Sequence, residues 1–266
     1  MRRWINVTGW VLCLGLLPSL PLRADTAEAL VTERQAELKK YPNSANLAAA
    51  YCEALAGAGH WQEALTWADR LLASPGLTGS WRTSVWLTAG HSWLALRNWD
   101  AAAESFRRCG ATATLDDRGA LAEARAMLQG VTGWRTWREV DSAYLVLLFS
   151  SWPSGVSQGQ QGLFAYRADL AYVASSRALG ATLNTPLTYF AYSSNDELHH
   201  LTGMASSFAD SARYRVHAAG PAPSAAQITA VLAQHSVPQI VRTPAFAAGL
   251  SSYLGWQEEN VHDQVA

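Results

Sequence analysis

Seven histidines are spread along this chain, and three of them, His199, His217 and His235, lie in its second half near acidic side chains. Asp196, Glu197 and Asp210 stand close enough in sequence to add carboxylates. Imidazole with carboxylate is the ligand set of a metal-dependent hydrolase. The three histidines are therefore candidate ligands for a metal site of non-standard spacing. His200 follows His199 directly, but successive side chains on a helix point about 100° apart, so this pair does not chelate together. Each histidine also has an ordinary structural reading. His199 and His200 suit a short helix with one ring half-buried and one exposed, His217 a hydrogen-bonded strand end, and His235 a helix C-terminus, where the dipole favours it.

Other chemistry is poorly represented. Ser154-Gly155 and Ser251-Ser252 lack the Gly-x-Ser-x-Gly elbow of a hydrolase nucleophile. The stretch GVSQGQQG has glycines but no lysine to reach a phosphate. Only two lysines, Lys39 and Lys40, occur, and the formal charge of −1 gives nucleic acid no basic surface.

The N-terminus sets the expected compartment. Arg2 and Arg3 precede a short apolar run from Trp10 to Leu17, and Leu22-Arg23-Ala24 is a cleavage site before Asp25. Residues 1–24 thus read as a secretory signal peptide, which directs the mature chain to the periplasm or the exterior. Gly9, Gly15 and Pro18 interrupt the run, which is shorter than the roughly 20 residues that span a bilayer. Cys13 follows Leu12, where lipid attachment favours a smaller residue. Removing three arginines with the signal moves the formal charge to −4 and leaves Cys52 and Cys109. One disulfide at most, or two buried thiols, can result.

Residues 25–130 must supply a helical frame. HWQEALTWADRLL, His60–Leu72, matches NWDAAAESFRRCG, Asn98–Gly110, at an offset of 38 residues. A repeat of that period points to stacked helical pairs. Residues 26–41 form a helix before it, stopped at Tyr41-Pro42, and residues 116–129 a helix after it, capped by Asp116 or Asp117. Trp86, Ala89, Gly90 and Trp93, then Ala102, Phe106 and Cys109, resemble the small-and-large pattern of the tetratricopeptide repeat (TPR). Ala48, Tyr51, Cys52 and Leu55, with Ala64, Ala68 and Leu71, resemble it less closely. The resemblance implies a short superhelix with a groove for a peptide or partner protein. Trp61, Trp86, Trp93 and Trp99 fall on repeat positions. Trp134, Trp137 and Trp152, around the junction 131–140, do not, and they are candidates for an interdomain or partner contact.

Residues 141–256 read as an α+β domain, with 257–266 a flexible tail. Ala143–Ser150 is an apolar strand, and 163–179 a helix whose face is Leu163, Tyr166, Leu170, Val173 and Leu179. Pro186–Ser194 is a strand, NDELHHLTG a short helix capped by Asn195, and 224–234 and 243–254 two further helices. This order, with PLTYFAYSS and Gly249-Leu250, resembles the gluzincin-type zinc metallopeptidases. In that family a helix carries His-Glu-x-x-His and a later helix a third ligand, so that two rings share one helical face beside a general base. The resemblance places Ala226 and Ala230 at the histidines, Gln227 at the glutamate and Ala248 at the third ligand. None of these side chains can ligate zinc or take a proton at useful pH.

The sequence therefore predicts an N-terminal TPR-like array and a C-terminal α+β domain with a degenerate zincin-like site. It predicts no cofactor and no membrane span after signal removal. The expected function is a non-catalytic adaptor for another exported protein or peptide, held in the groove or the former cleft. The alternatives are a hydrolase using His199, His217 or His235, and a structural envelope component.

Overall fold

The two matching segments become equivalent helices. The computed structural model describes residues 26–150, 158–220 and 222–236. It begins with α1 (Thr26–Lys40), α2 (Ala45–Gly57), α3 (Trp61–Ala73), α4 (Ser80–Ala95), α5 (Trp99–Thr112) and α6 (Arg118–Trp134). Ala64, Ala68 and Leu71 of α3 and their counterparts Ala102, Phe106 and Cys109 of α5 are all buried. Ser44 caps α2 through a bond from the Leu47 amide, and Asn98 caps α5 through the Ala101 amide. Each helix packs on the next, and α4 also touches both α2 and α6. A Cβ added at Gly90 on α4 would stand 2.5 Å from the Phe106 ring of α5. Glycine thus sets the spacing of that helix pair.

The second half is built on a five-stranded sheet in the order β1-β2-β3-β5-β4. Its strands are β1 (Arg138–Asp141), β2 (Leu145–Phe149), β3 (Leu187–Tyr192), β4 (Phe208–Asp210) and β5 (Arg215–Ala219). The central three run parallel, and the edges β1 and β4 are antiparallel to their neighbours. Helices α7 (Gln158–Leu179), α8 (Asn195–Thr202) and α9 (Ala225–Ser236) complete the described part. The architecture is α+β. No described helix is long and apolar enough to cross a membrane.

Several elements differ from expectation. α6 runs on to Trp134 and Arg138–Asp141 pairs with β2, so most of the supposed junction is regular structure. The cap of α8 is Ser194, whose hydroxyl accepts from the Glu197 amide, and Asn195 is the first helical residue. The segment around His217, expected to end a strand, forms β4, a 3-10 turn at Ser211–Arg213 and β5. The face of α7 is also reversed. Leu163, Tyr166 and Leu170 are exposed at 48%, 61% and 50%, while Phe164, Ala165, Ala168, Ala171 and Tyr172 are buried. A period of 3.6 admits either stripe, and the one rich in alanine lets the helix lie close to the sheet and to α9.

Alternation along the strands gives the sheet two packed faces. Leu145, Leu147, Phe149, Leu187, Tyr189, Val216 and Ala218 meet α7 and α9. Leu148, Phe190 and Tyr192 meet α5, α6 and α8. A further cluster fills α1–α4 and takes in Tyr214 from the turn before β5. Tyr214 adopts a left-handed φ of 56°, uncommon for a bulky residue. Its ring lies edge-on to Trp61 and its hydroxyl donates to the Gly57 carbonyl at 3.3 Å.

Cys52 and Cys109 are free and buried, Cys52 donating to the Ala64 carbonyl. Burial pushes the Cys52 thiol up to about 12 and the Cys109 thiol up to about 11. Both should therefore ignore Ellman's reagent in the native chain and react fully in denaturant. Gly90→Ala should cost about 1–3 kcal/mol by overpacking, measured by urea unfolding, with part recovered by Phe106→Leu in the same chain.

Candidate functional site

The polar side chains with the strongest chemistry gather where the helices meet the sheet. Register places Leu148, Phe190, His217 and Phe208 in one row across β2, β3, β5 and β4. The His217 ring lies flat between Phe190 and Phe208, at centroid distances of 4.5 and 4.6 Å and interplanar angles of 2° and 6°. Trp134 covers this row from α6, at 4.5 Å from Phe190 and 5.5 Å from His217. Its indole fits because Gly130, one turn earlier, has no side chain. A Cβ there would stand 2.5 Å from the indole.

A hydrogen-bond chain runs through the same residues. Trp134 Nε1 donates to the Tyr192 hydroxyl at 3.1 Å, and that hydroxyl lies 2.8 Å from His217 Nδ1. Indole nitrogen can only donate. The phenol therefore accepts from it and shares one further hydrogen bond with Nδ1 of His217. Burial, then the nearby Arg215 charge, holds His217 well below the usual histidine range. Burial likewise holds the Tyr192 phenol well above its own.

A second chain crosses the seam beside the first. Arg215 on β5 is 1% exposed. It donates to His91 Nδ1 at 3.1 Å and to the His91 carbonyl at 3.0 Å. His91 Nε2 reaches Glu123 Oε1 on α6 at 2.9 Å, and Arg213 meets the same carboxylate oxygen at 2.5 Å while also bonding Asp210. Because guanidinium only donates, His91 Nδ1 accepts and its proton sits on Nε2, facing Glu123. Burial first, then Arg213 and Arg215, hold the His91 imidazolium form far out of reach. Burial lowers Arg215 itself to about 10, so it stays charged.

The three histidines proposed as ligands are not brought together. His199 is exposed on α8, His217 is fixed in the aromatic row, and His235 stacks on Tyr214 at 4.1 Å with Nε2 donating to the Ser211 carbonyl at 2.7 Å. Among the described residues no three His, Cys, Asp or Glu side chains form a metal cluster. Ala226, Gln227 and Ala230 are half-buried on α9. Gln227 Nε2 donates to the Ser207 carbonyl at 3.4 Å, just before β4. Trp134 is fully buried, so it joins α6 to the sheet and cannot meet a partner. Trp137 is half-buried against Tyr192 at 4.9 Å. Trp152 and Ala248 lie outside the described residues, as do residues 1–24, where a signal peptide was expected, with Cys13.

No family model, curated protein or solved structure matches the chain. The seam was not anticipated from the sequence, where His91, Glu123, Arg213 and Arg215 attracted no notice. The available signal was the alternation of Arg215 and His217 in RVH, which sets two polar side chains on one face of β5. His91, His217 and Arg215 are enclosed, while Glu123 and Arg213 at the outer end are partly exposed.

The pH dependence follows from the two neutral imidazoles. Above about pH 6.5 a histidine is neutral folded or unfolded. Below it the unfolded chain takes up protons that folded His91 and His217 refuse. Stability should therefore fall as pH drops below 6.5, by up to about 1.4 kcal/mol per pH unit for each ring. His91→Gln can still accept from Arg215 and donate to Glu123 without titrating. In this variant the acid limb of Tm against pH should lose about half its slope.

Proposed function

We propose that this chain is a non-catalytic adaptor of the exported space, in which a TPR-like helical half supports an α+β domain that resembles a zinc peptidase stripped of its metal. The observation that carries this reading is the order of elements. Strand β2, long helix α7, strand β3 and short helix α8 precede α9, the order implied by the peptidase resemblance. On α9 the residues standing for His-Glu-x-x-His are Ala226, Gln227 and Ala230.

The docking surface follows from what is already occupied. The sheet lies against α2, α4 and α6 through the Tyr214 bond to Gly57, the Arg215 bonds to His91 and the packing on Trp134. A groove there is filled by the chain itself. Of the two sheet edges, β1 and β4, the second lies beside Gln227 of α9. An extended segment of another exported protein would add there by main-chain hydrogen bonds and leave uncut. His199, His217 and His235 support no competing hydrolase, because their surroundings are separate.

Restoring the ligands tests the reading. The variant Ala226→His, Gln227→Glu, Ala230→His, Ala248→Glu should hold one zinc per chain after dialysis against a weak chelator, and the mature wild-type chain should hold almost none. One zinc in the wild type, or cleavage of unfolded peptides by it, overturns the adaptor. A folded variant without zinc overturns the peptidase likeness.

A further inference from the structure

Among the described histidines, His91 and His217 are buried, at 4% and 2% exposure, and both stand in the seam where α4 and α6 meet the sheet. His91 reaches from α4 to Arg215 on β5 and to Glu123 on α6. His217 lies on β5 beneath Trp134 of α6. His60, His199 and His200 are exposed, and His235 is half-buried at the end of α9. Two groups that titrate near neutrality are thus enclosed in one interface.

The groups around His91 leave no room for a second proton. Arg215 holds a guanidinium nitrogen 3.1 Å from Nδ1. A proton there would turn the acceptor into a donor and set two cations face to face. Arg213, in the 3-10 turn before β5, adds like charge, while Asp210 on β4 acts in the opposite sense but is already bonded to Arg213. Glu123 meets Nε2 and is shared with Arg213. From α5 the Phe106 ring faces His91 at 5.2 Å. Around His217 the acting charge is that of Arg215, and the Tyr192 hydroxyl on β3 meets Nδ1. Its other neighbours are the rings of Phe190, Phe208 and Trp134.

A proton can therefore reach either ring only when the seam parts. Above about pH 6.5 neither the closed nor the parted form binds one, and their ratio does not change with pH. Below it each freed ring takes up a proton that the closed form refuses. The parted fraction then rises up to about ten-fold per pH unit for each ring. The two cores on either side lack this sensitivity: the buried cluster within α1–α4 and the cluster between the sheet, α7 and α9 contain no histidine.

We propose that the seam is an acid-operated latch: at neutral pH His91 and His217 help hold the helical half on the sheet, and their protonation in acid parts α4 and α6 from β5 while each half keeps its own core. Such sub-global opening bares the face of α2, α4 and α6 that the sheet covers. The latch is independent of whether the chain is an adaptor.

Thiol labelling of residues 25–266 with a dithiodipyridine, which reacts in acid, tests the latch. Leu148→Cys puts a thiol on β2 in the row that α6 covers, and Cys52, between α2 and α3, reports on the helical core of the same chain. Between about pH 7.5 and about pH 5.5 the rate at Leu148→Cys, divided by that of the exposed control Tyr41→Cys, should rise roughly 100-fold, for two rings one pH unit below 6.5. Cys52 should stay unreactive and the circular dichroism unchanged. Val131→Cys, on the α6 side of the same cluster, should rise by the same factor. With His91→Gln added, the rise should shrink to about ten-fold. A rate ratio independent of pH overturns the latch, as does a rise at one probe alone or an undiminished rise with His91→Gln. Reaction of Cys52 in step with the seam probes also overturns it, since acid then unfolds the whole chain.

Discussion

A guanidinium and two neutral imidazoles buried between helices and sheet constrain everything around them. An unpaired buried charge costs several kcal/mol, and Arg215 is held by a ring nitrogen and a carbonyl of His91 with the Asp210 and Glu123 carboxylates acting on its charge. His91 can accept only while its other nitrogen donates to Glu123. Three elements, α4, α6 and β5, must therefore sit in one relative position. The Trp134–Tyr192–His217 chain imposes the same condition on α6, β3 and β5. These directional bonds select one docking among the many that apolar contact alone would tolerate.

The same seam decides what the molecule can do. Side chains with useful chemistry are spent on holding it: His91 and His217 are neutral and enclosed, and Arg215 is charged but unreachable. The surface that a helical repeat would present to a partner is met by the chain's own strands. Tyr214 is the plainest case, held in a left-handed backbone conformation while its ring and hydroxyl reach α2 and α3.

Small residues set the other face of the sheet. Ala165, Ala168 and Ala171 bring α7 down onto the sheet between buried Phe164 and Tyr172, and Leu163, Tyr166 and Leu170 face outward. Gly90 and Gly130 do the same for Phe106 and Trp134 on the helical side. In each place an absent side chain fixes where a large one goes, which is how close packing turns composition into position.

Local signals determined much of this protein directly. The repeat at 38 residues, the caps at Ser44 and Asn98, the stop at Pro42 and the alternation of the central strands are short-range effects, written in neighbouring residues. The α+β character follows from them. Tertiary structure alone decided which stripe of α7 faced inward, because two stripes satisfied the same period and only the fit against sheet and α9 distinguished them. It also decided that Trp134 is internal and that His91 meets Arg215, 124 residues away in sequence. A buried polar pair has no local signature: each partner is unremarkable until the fold removes water from both.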